Sequence, residues 1–297
     1  MKHTIGVDVG GTKIAAAVVD SKGNIGAKIK TKTGQGGFAE SVKQVAEIAR
    51  RAAHDSGTAW SDVSAIGIAV PGIYYAASGL VWAPNIPGWD HIPLRDELTA
   101  KLSVRVVLDS DRAAYVTGEQ WLGAAHGLSD VIFLAVGTGI GAGIISGGRL
   151  IRGTGDIAGA VGWFALDPRK KEIYKQIGCF EAESAGPSLA RRAGATTETV
   201  IERARRGEEG AQEIVRAAIQ YLAMGVANLV SVFNPQMIVL GGGLMQAGDL
   251  FLEPLRHQML EWAQPIAAKQ VRIELSRLGE DAGLLGAARL AFLETEA

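Results

Sequence analysis

The chain has 297 residues, about twice the usual single-domain length, so one large α/β domain or two smaller ones are expected, and two fit the length better. With 47% hydrophobic and 21% charged residues it is neither disordered nor fibrous. Its 30 Lys+Arg against 31 Asp+Glu leave a formal charge of -1 and no basic block to neutralise phosphates, so nucleic acid is not an expected partner.

A single cysteine, Cys179, excludes an intrachain disulfide framework, argues against a cysteine-rich zinc site and fits a reducing cytoplasm. The start, MKHTIGVDVGG, reaches Asp8 after too short an apolar run for a secretory signal. No charge lies between Arg216 and Asp249, but Asn228, Ser231, Asn234, Pro235 and Gln236 interrupt that stretch, so no membrane span is expected. Glycine is the outlier, at 39 residues. The clusters at Gly10-Gly11, Gly137 to Gly148 and Gly241 to Gly243 each follow a β-branched segment, where a backbone turns tightly or approaches a ligand.

In chain order, residues 4–20 read as a strand, a Gly-Gly turn and a second strand. Residues 39–54 carry apolar positions at Val42, Val45, Ile48, Ala49 and Ala52, one stripe of an amphipathic helix. A short strand at 65–70 ends at Pro71-Gly72. Residues 73–91 show neither periodicity and are expected to be a structured loop. A strand at 104–109 and a helix at 111–125 come next. Residues 131–151 repeat the opening plan of strand, glycine turn and strand, with a further turn at Gly147-Gly148. A long buried helix is expected from Glu208 to Val232, a strand at 237–240, a turn at Gly241–Gly243 and a helix at 250–263. Domain boundaries are expected at element ends, near 115–130 and near 283.

Gly10-Gly11-Thr12-Lys13 is not a P-loop, because a β-prone segment comes after it where a helix is required. Gly137-Thr138-Gly139-Ile140-Gly141-Ala142 fits the loose dinucleotide pattern, but Ile144-Ile145 before Ser146-Gly147-Gly148 predicts a hairpin. Two hairpin tips remain, each offering backbone N–H groups and a hydroxyl, Thr12 or Thr138, to an anion. Asp8 lies two residues before the first tip. A carboxylate beside a phosphate cradle is repulsive unless a cation intervenes, which suggests Mg²⁺ held through water on Asp8. The alternative is two ordinary glycine hairpins and a solvated aspartate.

DVGGTK at 8–13, APNIPGW at 83–89, DRAAYVTGE at 111–119, VGTGIGAG at 136–143, the spacing of GTGDIAGAVGW at 153–163, GCFEAESAG at 178–186 and NPQMIVLGGG at 234–243 together resemble the ROK family of sugar kinases, within the actin-like ATPase superfamily. The resemblance implies an α/β, two-domain actin-like ATPase (ribonuclease H-like) fold, each domain a mixed sheet flanked by helices, closing over a cleft. It places residues 1–117 with 283–297 in a small domain and 118–282 in a large one. It implies that the first hairpin (Asp8, Gly10, Gly11, Thr12, Lys13) and the second (Thr138, Gly139) hold the phosphates of ATP, and that Gly241, Gly242 and Gly243 lie by adenosine. A catalytic aspartate would deprotonate a hydroxyl of a sugar or sugar-like substrate, in a protein expected to be a cytoplasmic homodimer.

In the family the base lies in an Asn-Asp-Ala-Asn stretch, matched here by Ser110, Asp111, Arg112 and Ala113. The resemblance selects Asp111 as the base. Asp109 competes if the strand extends through Asp111 and puts both on one face, and either aspartate suits the cap of the helix beyond. Where the family has Ala-Gly-Glu-Ile-Gly-His, this chain has Ala158-Gly159-Ala160-Val161-Gly162-Trp163. The lost Glu and His normally reach sugar hydroxyls, and the His joins three cysteines around zinc. Only Cys179 matches one of those cysteines, with Glu172 and Tyr174 at the other two positions, so no zinc is expected. Two lost charged hydrogen bonds of roughly 1.5–3 kcal/mol each would weaken an ordinary hexose by about two to four powers of ten. Trp163 either stacks on a sugar face or fills the volume left by Ala160. Glu181 keeps the remaining sugar-facing carboxylate, and Gly72, Asn85 and Ser110 are further candidate contacts. Tyr74 and Tyr75 could line the rim, and the five histidines show no metal spacing.

The resulting expectation is an ATP- and Mg²⁺-dependent kinase for a hexose, amino sugar or cyclitol, acting on a hydroxyl expected to be primary. The alternative is a catalytically weak or inactive sugar sensor on the same fold. Family repressors carry an N-terminal helix-turn-helix, whereas here the phosphate hairpin begins at residue 4.

Overall fold

The structure is a computed structural model that describes residues 3–296; residues 1, 2 and 297, which the expected small domain includes, lie outside them. It divides into two compact units. The first comprises the described residues up to His126, Arg152–Ala158 and those from Glu280 onward, and the second comprises Gly127–Ile151 and Gly159–Gly279. The first break comes after 126 instead of 117 because the helix beginning at Asp111 continues to Leu122 inside the first unit.

The first unit contains β1 (His3–Val9), β2 (Lys13–Asp20), β3 (Ile29–Lys32), α1 (Phe38–Asp55), β4 (Val63–Val70), β5 (Ile73–Tyr75), β6 (Leu80–Trp82), α2 (Leu94–Leu102), β7 (Arg105–Ser110) and α3 (Asp111–Leu122). Its five-stranded sheet has the order β3-β2-β1-β4-β7, with β1, β4 and β7 parallel and the β2–β3 edge antiparallel. Side chains alternate across each strand. Ile5, Val7 and Val9 of β1, with Ile66, Ile68 and Val70 of β4, enter a core with Val42, Val45, Ile48 and Ala49 of α1. The intervening Thr4, Gly6 and Asp8 face the helix that closes the chain, Ala282–Glu296 (α11 below): Thr4 donates to the carbonyl of Ala288, and a Cβ on Gly6 would lie 2.2 Å from the carbonyl oxygen of Leu284. Glycine is required there because backbone meets backbone.

The expected loop at 73–91 contains a short hairpin, β5 with β6, and Val81 also bridges to Ile92. Strands of three residues are too short to show a period of two in the sequence, which is why they were not foreseen. Trp89 anchors the stretch between β6 and α2, buried with its indole N–H on Ser41 Oγ.

The second unit contains β8 (Val131–Val136), β9 (Ile140–Ser146), β10 (Arg149–Leu150), α4 (Tyr174–Ile177), α5 (Cys179–Ser184), α6 (Gly186–Ala193), α7 (Thr197–Arg205), α8 (Glu209–Phe233), β11 (Met237–Gly241), α9 (Gly248–Met259), α10 (Pro265–Gln270) and β12 (Arg272–Leu275). Its sheet order, β10-β9-β8-β11-β12, repeats the plan of the first, with an antiparallel hairpin leading into parallel strands. The helix expected at 250–263 ends at Met259 and is succeeded by the separate α10. By length and composition α8 could cross a membrane, but Val215, Ile219, Leu222, Val226 and Val230 lie in the core with Ile132 and Leu134 of β8. Asn234 in the left-handed conformation ends it directly before Pro235.

Candidate active site

In the first unit the turn between β1 and β2 is closed by Gly10 N–H on the carbonyl of Lys13 and by Thr33 Oγ1 on the carbonyl of Gly10. The amides of Gly11 and Thr12, at the tip, have no backbone partner among the described residues. Lys13, expected on phosphate, has its ammonium on Glu280 Oε1 at 3.0 Å, and Glu280 also takes Lys30. A Cβ on Gly11 would lie 3.6 Å from the carbonyl oxygen of Asn85, so the Asn85 loop borders the tip.

Asp8 sits at the end of β1 facing the start of α11, where a Cβ on Gly283 would come within 2.5 Å of Asp8 Oδ2. Glycine there leaves the carboxylate its space. Burial pushes the Asp8 carboxyl up to about 7, the Asp111 carboxylate adds to the rise and Lys13 opposes it. Burial likewise pushes Asp111 up to about 6 against the pull of Arg112, whose backbone N–H donates to Asp111 Oδ1 at 2.7 Å. Two desolvated carboxyls of like charge form a site short of a cation. That is the environment a divalent ion relieves, so the residues fit Mg²⁺ at Asp8. The Tyr115 phenol, also raised by burial and then by Asp111 and Asp8, borders the same pair.

Geometry separates the surroundings of Asp109 and Asp111. Strand β7 ends at Ser110, so the two aspartates are not strand neighbours on one face. Asp109 accepts from Arg152 Nη2 at 2.5 Å and from its neighbour's amide, Ser110 N–H, at 2.8 Å. Neither aspartate caps α3. Ser110 does, accepting from Ala113 N–H at 3.3 Å. Its hydroxyl oxygen is thereby engaged while its proton remains to donate. Gly72, with φ of 119°, is glycine for a structural reason, since a Cβ would meet the carbonyl oxygen of Trp82 at 2.2 Å. Arg152 and Gly283 were not foreseen from the sequence, because each acts on a partner distant in the chain and neither belongs to a motif.

In the second unit the β8–β9 turn repeats the first: Gly137 N–H closes on the carbonyl of Gly139, and the amides of Thr138 and Gly139 have no backbone partner among the described residues. Glu181 accepts from Ile140 N–H at 2.8 Å through Oε2, which ties it to this turn, and burial raises its carboxyl. A Cβ on Gly139 would lie 2.8 Å from the same oxygen, so a side chain there would displace the Glu181 carboxylate. Gly242, at φ 91°, is packed against the carbonyl of Val136, and the Gly137 turn lies against Gly243. These two turns open on a cavity of about 660 Å³ that also touches Gly186, Glu198, Glu202 and Arg205. Of those only Gly186 stood in a recognisable segment; α7 carries the other three as an ordinary amphipathic helix.

Trp163 closes a single 3₁₀ turn, Val161–Trp163, and is 57% exposed. It does not fill the volume left by Ala160. The expected zinc positions do not fit the metal: Glu172 pairs with Lys175, Tyr174 hydrogen-bonds to carboxylates, Trp163 projects to solvent and Cys179 is buried. Among the described residues no group of three or more His, Cys, Asp or Glu is placed to hold a metal.

Two repeated strand-and-glycine-turn units, one with paired buried carboxyls and the other with a cavity at its turns, are the architecture of the actin-like ATPase fold, shared with ROK sugar kinases. The chain belongs to the ROK family, whose sequence profile matches residues 4–293. It is similar to the ROK hexokinase of Thermus thermophilus (34% identity, 99% of each chain, TM-score 0.85). A ROK family glucokinase from Streptomyces griseus, solved with glucose and AMPPNP, matches at 31% identity over 98% of this chain and 99% of its own, with a TM-score of 0.80. The glucokinase of Thermotoga maritima is 30% identical over 96% of both chains. A xylose repressor from Caldicellulosiruptor bescii is 33% identical over 74% of this chain and 60% of its own length. The protein is an ATP-dependent sugar kinase.

Proposed function

We propose that Asp111 is the general base of this kinase and that the acceptor is a hydroxyl, of primary type, on a hexose, amino sugar or cyclitol. The observation that carries the assignment is the division of labour at the end of β7: Asp109 is held by Arg152, while Asp111 stays beside Asp8 with its carboxyl near neutrality. A carboxyl raised to about 6 is ionised at neutral pH yet a stronger proton acceptor than an ordinary aspartate. The glycine tips supply N–H groups for the phosphates. Asp8 is the residue that would hold Mg²⁺, through water, and an ion there would supply charge neutralisation for the phosphates.

Asn85 and Ser110 in the first unit, and Glu181 and the exposed Trp163 in the second, are each proposed as sugar contacts. Ala160 and Trp163 remove two polar groups from one side of the ligand, so the preferred substrate differs from glucose on that side. A weak or inactive sugar sensor is the second reading, supported by the repressor relative. Asp111→Asn tests the first. Its kcat should fall at least ~10²-fold in a coupled ADP assay while ATP binding stays nearly unchanged. Normal turnover by that variant refutes the base, and absence of turnover by the wild type on every sugar favours the sensor.

A further inference from the structure

The segment between Trp163 and α5 is held by a cluster of ionic and phenolic groups that belongs to neither phosphate turn. Glu183, on α5 and 5% exposed, accepts at Oε1 from Lys171 Nζ (2.6 Å) and from the Tyr174 hydroxyl (2.5 Å), and at Oε2 from Arg192 Nη2 (2.5 Å). Asp167, whose side chain is 4% exposed, accepts from Arg169 Nε (3.0 Å) and from the hydroxyls of Tyr221 (3.1 Å) and Tyr174 (3.2 Å). Tyr174 thus bridges two nearly buried carboxylates with one proton, and the shorter contact assigns that proton to Glu183. Burial raises the Glu183 carboxyl, but Lys171, Tyr174 and Arg192 outweigh it and hold the group below its usual range. Arg169 holds Asp167 well below the carboxylate range. Both therefore stay ionised as fixed acceptors.

The cluster lies between two groups assigned to the sugar. Immediately after Tyr174's helix, Gly178 at φ 83° is pressed against the turn of Trp163, where a Cβ would meet the Gly162 carbonyl oxygen at 2.3 Å and the Trp163 Cα at 2.7 Å. One residue later α5 begins, carrying Glu181 on Ile140 N–H and Glu183 in the cluster two residues apart. Whatever fixes Tyr174 and Glu183 fixes the Trp163 turn and the Glu181 carboxylate together.

We propose that Tyr174, clamped between Glu183 and Asp167, is a positioning residue for sugar binding, in a metal-free polar clip that sets the Trp163 turn and Glu181. The proposal rests on the reading that Trp163 and Glu181 face the sugar. Three variants and a chelator test it, with KM for the best sugar, KM for ATP and Tm measured on each. Tyr174→Phe removes one hydrogen bond to a charged acceptor and should raise the sugar KM about five- to tenfold, leaving the ATP KM within about twofold. Wild-type Tm should not change with 1,10-phenanthroline. If Tyr174→Phe does not fold, Lys171→Gln, at a half-exposed lysine, gives the same split at a smaller size. An unchanged sugar KM alongside a lowered Tm makes the cluster merely structural and overturns the proposal, as does a Tm that falls with chelator. Glu181→Gln separates the two readings. If it leaves the sugar KM unchanged while Tyr174→Phe raises it, Glu181 is not a sugar contact and the clip acts through Trp163. If it raises the sugar KM while Tyr174→Phe does not, the clip is refuted and Glu181 stands.

Discussion

Asp111 and Asp109 show how two aspartates separated by one residue come to sit in different surroundings. Burial raises both, but Arg152 offsets part of the rise at Asp109, whereas Asp111 is pushed up to about 6 beside Asp8. A carboxyl whose folded pKa is about 6 against 3.8 takes up its proton earlier in the folded state than in the unfolded one. Folding is therefore opposed by this group above about 6, and that opposition is relieved as pH falls from 6 towards 4. Asp111→Asn should be more stable than wild type in thermal melts at pH 8, with the gain shrinking at pH 5. A gain independent of pH would show that the carboxyl is not perturbed as described. Asp109→Asn should show a smaller gain of the same sign, because Arg152 offsets part of the cost of burying the Asp109 carboxylate and is itself half exposed. Asp111 was legible from its motif; the ion pair that sets Asp109 apart was not, since Arg152 lies 43 residues away.

Elements meet in this protein where side chains are missing. In the first unit α11 packs on the sheet and on α3 through glycines: a Cβ on Gly67 would lie 1.8 Å from the carbonyl oxygen of Ala287, and one on Gly286 1.7 Å from that of Ala114. Sheet and helix backbones cannot separate without losing the core between them. Gly67→Ala should therefore cost several kcal/mol or prevent folding. Gly210, in the first turn of α8 with open space around it, is the contrast. Gly210→Ala should stabilise by about 0.4–1 kcal/mol through the unfolded chain, read from denaturant midpoints at constant m-value. Equal effects at both sites would contradict this account of the packing. Long elements were legible because α1 and α8 display their period over many residues. The β5–β6 hairpin and the Ser110 cap were not: the first is too short for a period, and the second depends on where β7 stops.

At the scale of the whole molecule, the repeated sheet plan supplies each unit with a glycine tip. The replacement of two polar sugar-facing groups by Ala160 and Trp163 was visible in the sequence. Its meaning was not, because a tryptophan can fill a core or face a ligand; only its exposure separates the two. The indole is exposed on a turn set against Gly178, and the specificity proposed for it is open to direct measurement. The direct measurement is kcat/KM across hexoses, amino sugars and cyclitols with ATP, Mg²⁺ and coupled ADP detection. The best substrate should be one other than glucose, and the glucose value should lie below ~10⁴ M⁻¹s⁻¹, the low end of typical enzymes. Glucose as best substrate, with kcat/KM at or above ~10⁴ M⁻¹s⁻¹, would contradict the proposed specificity.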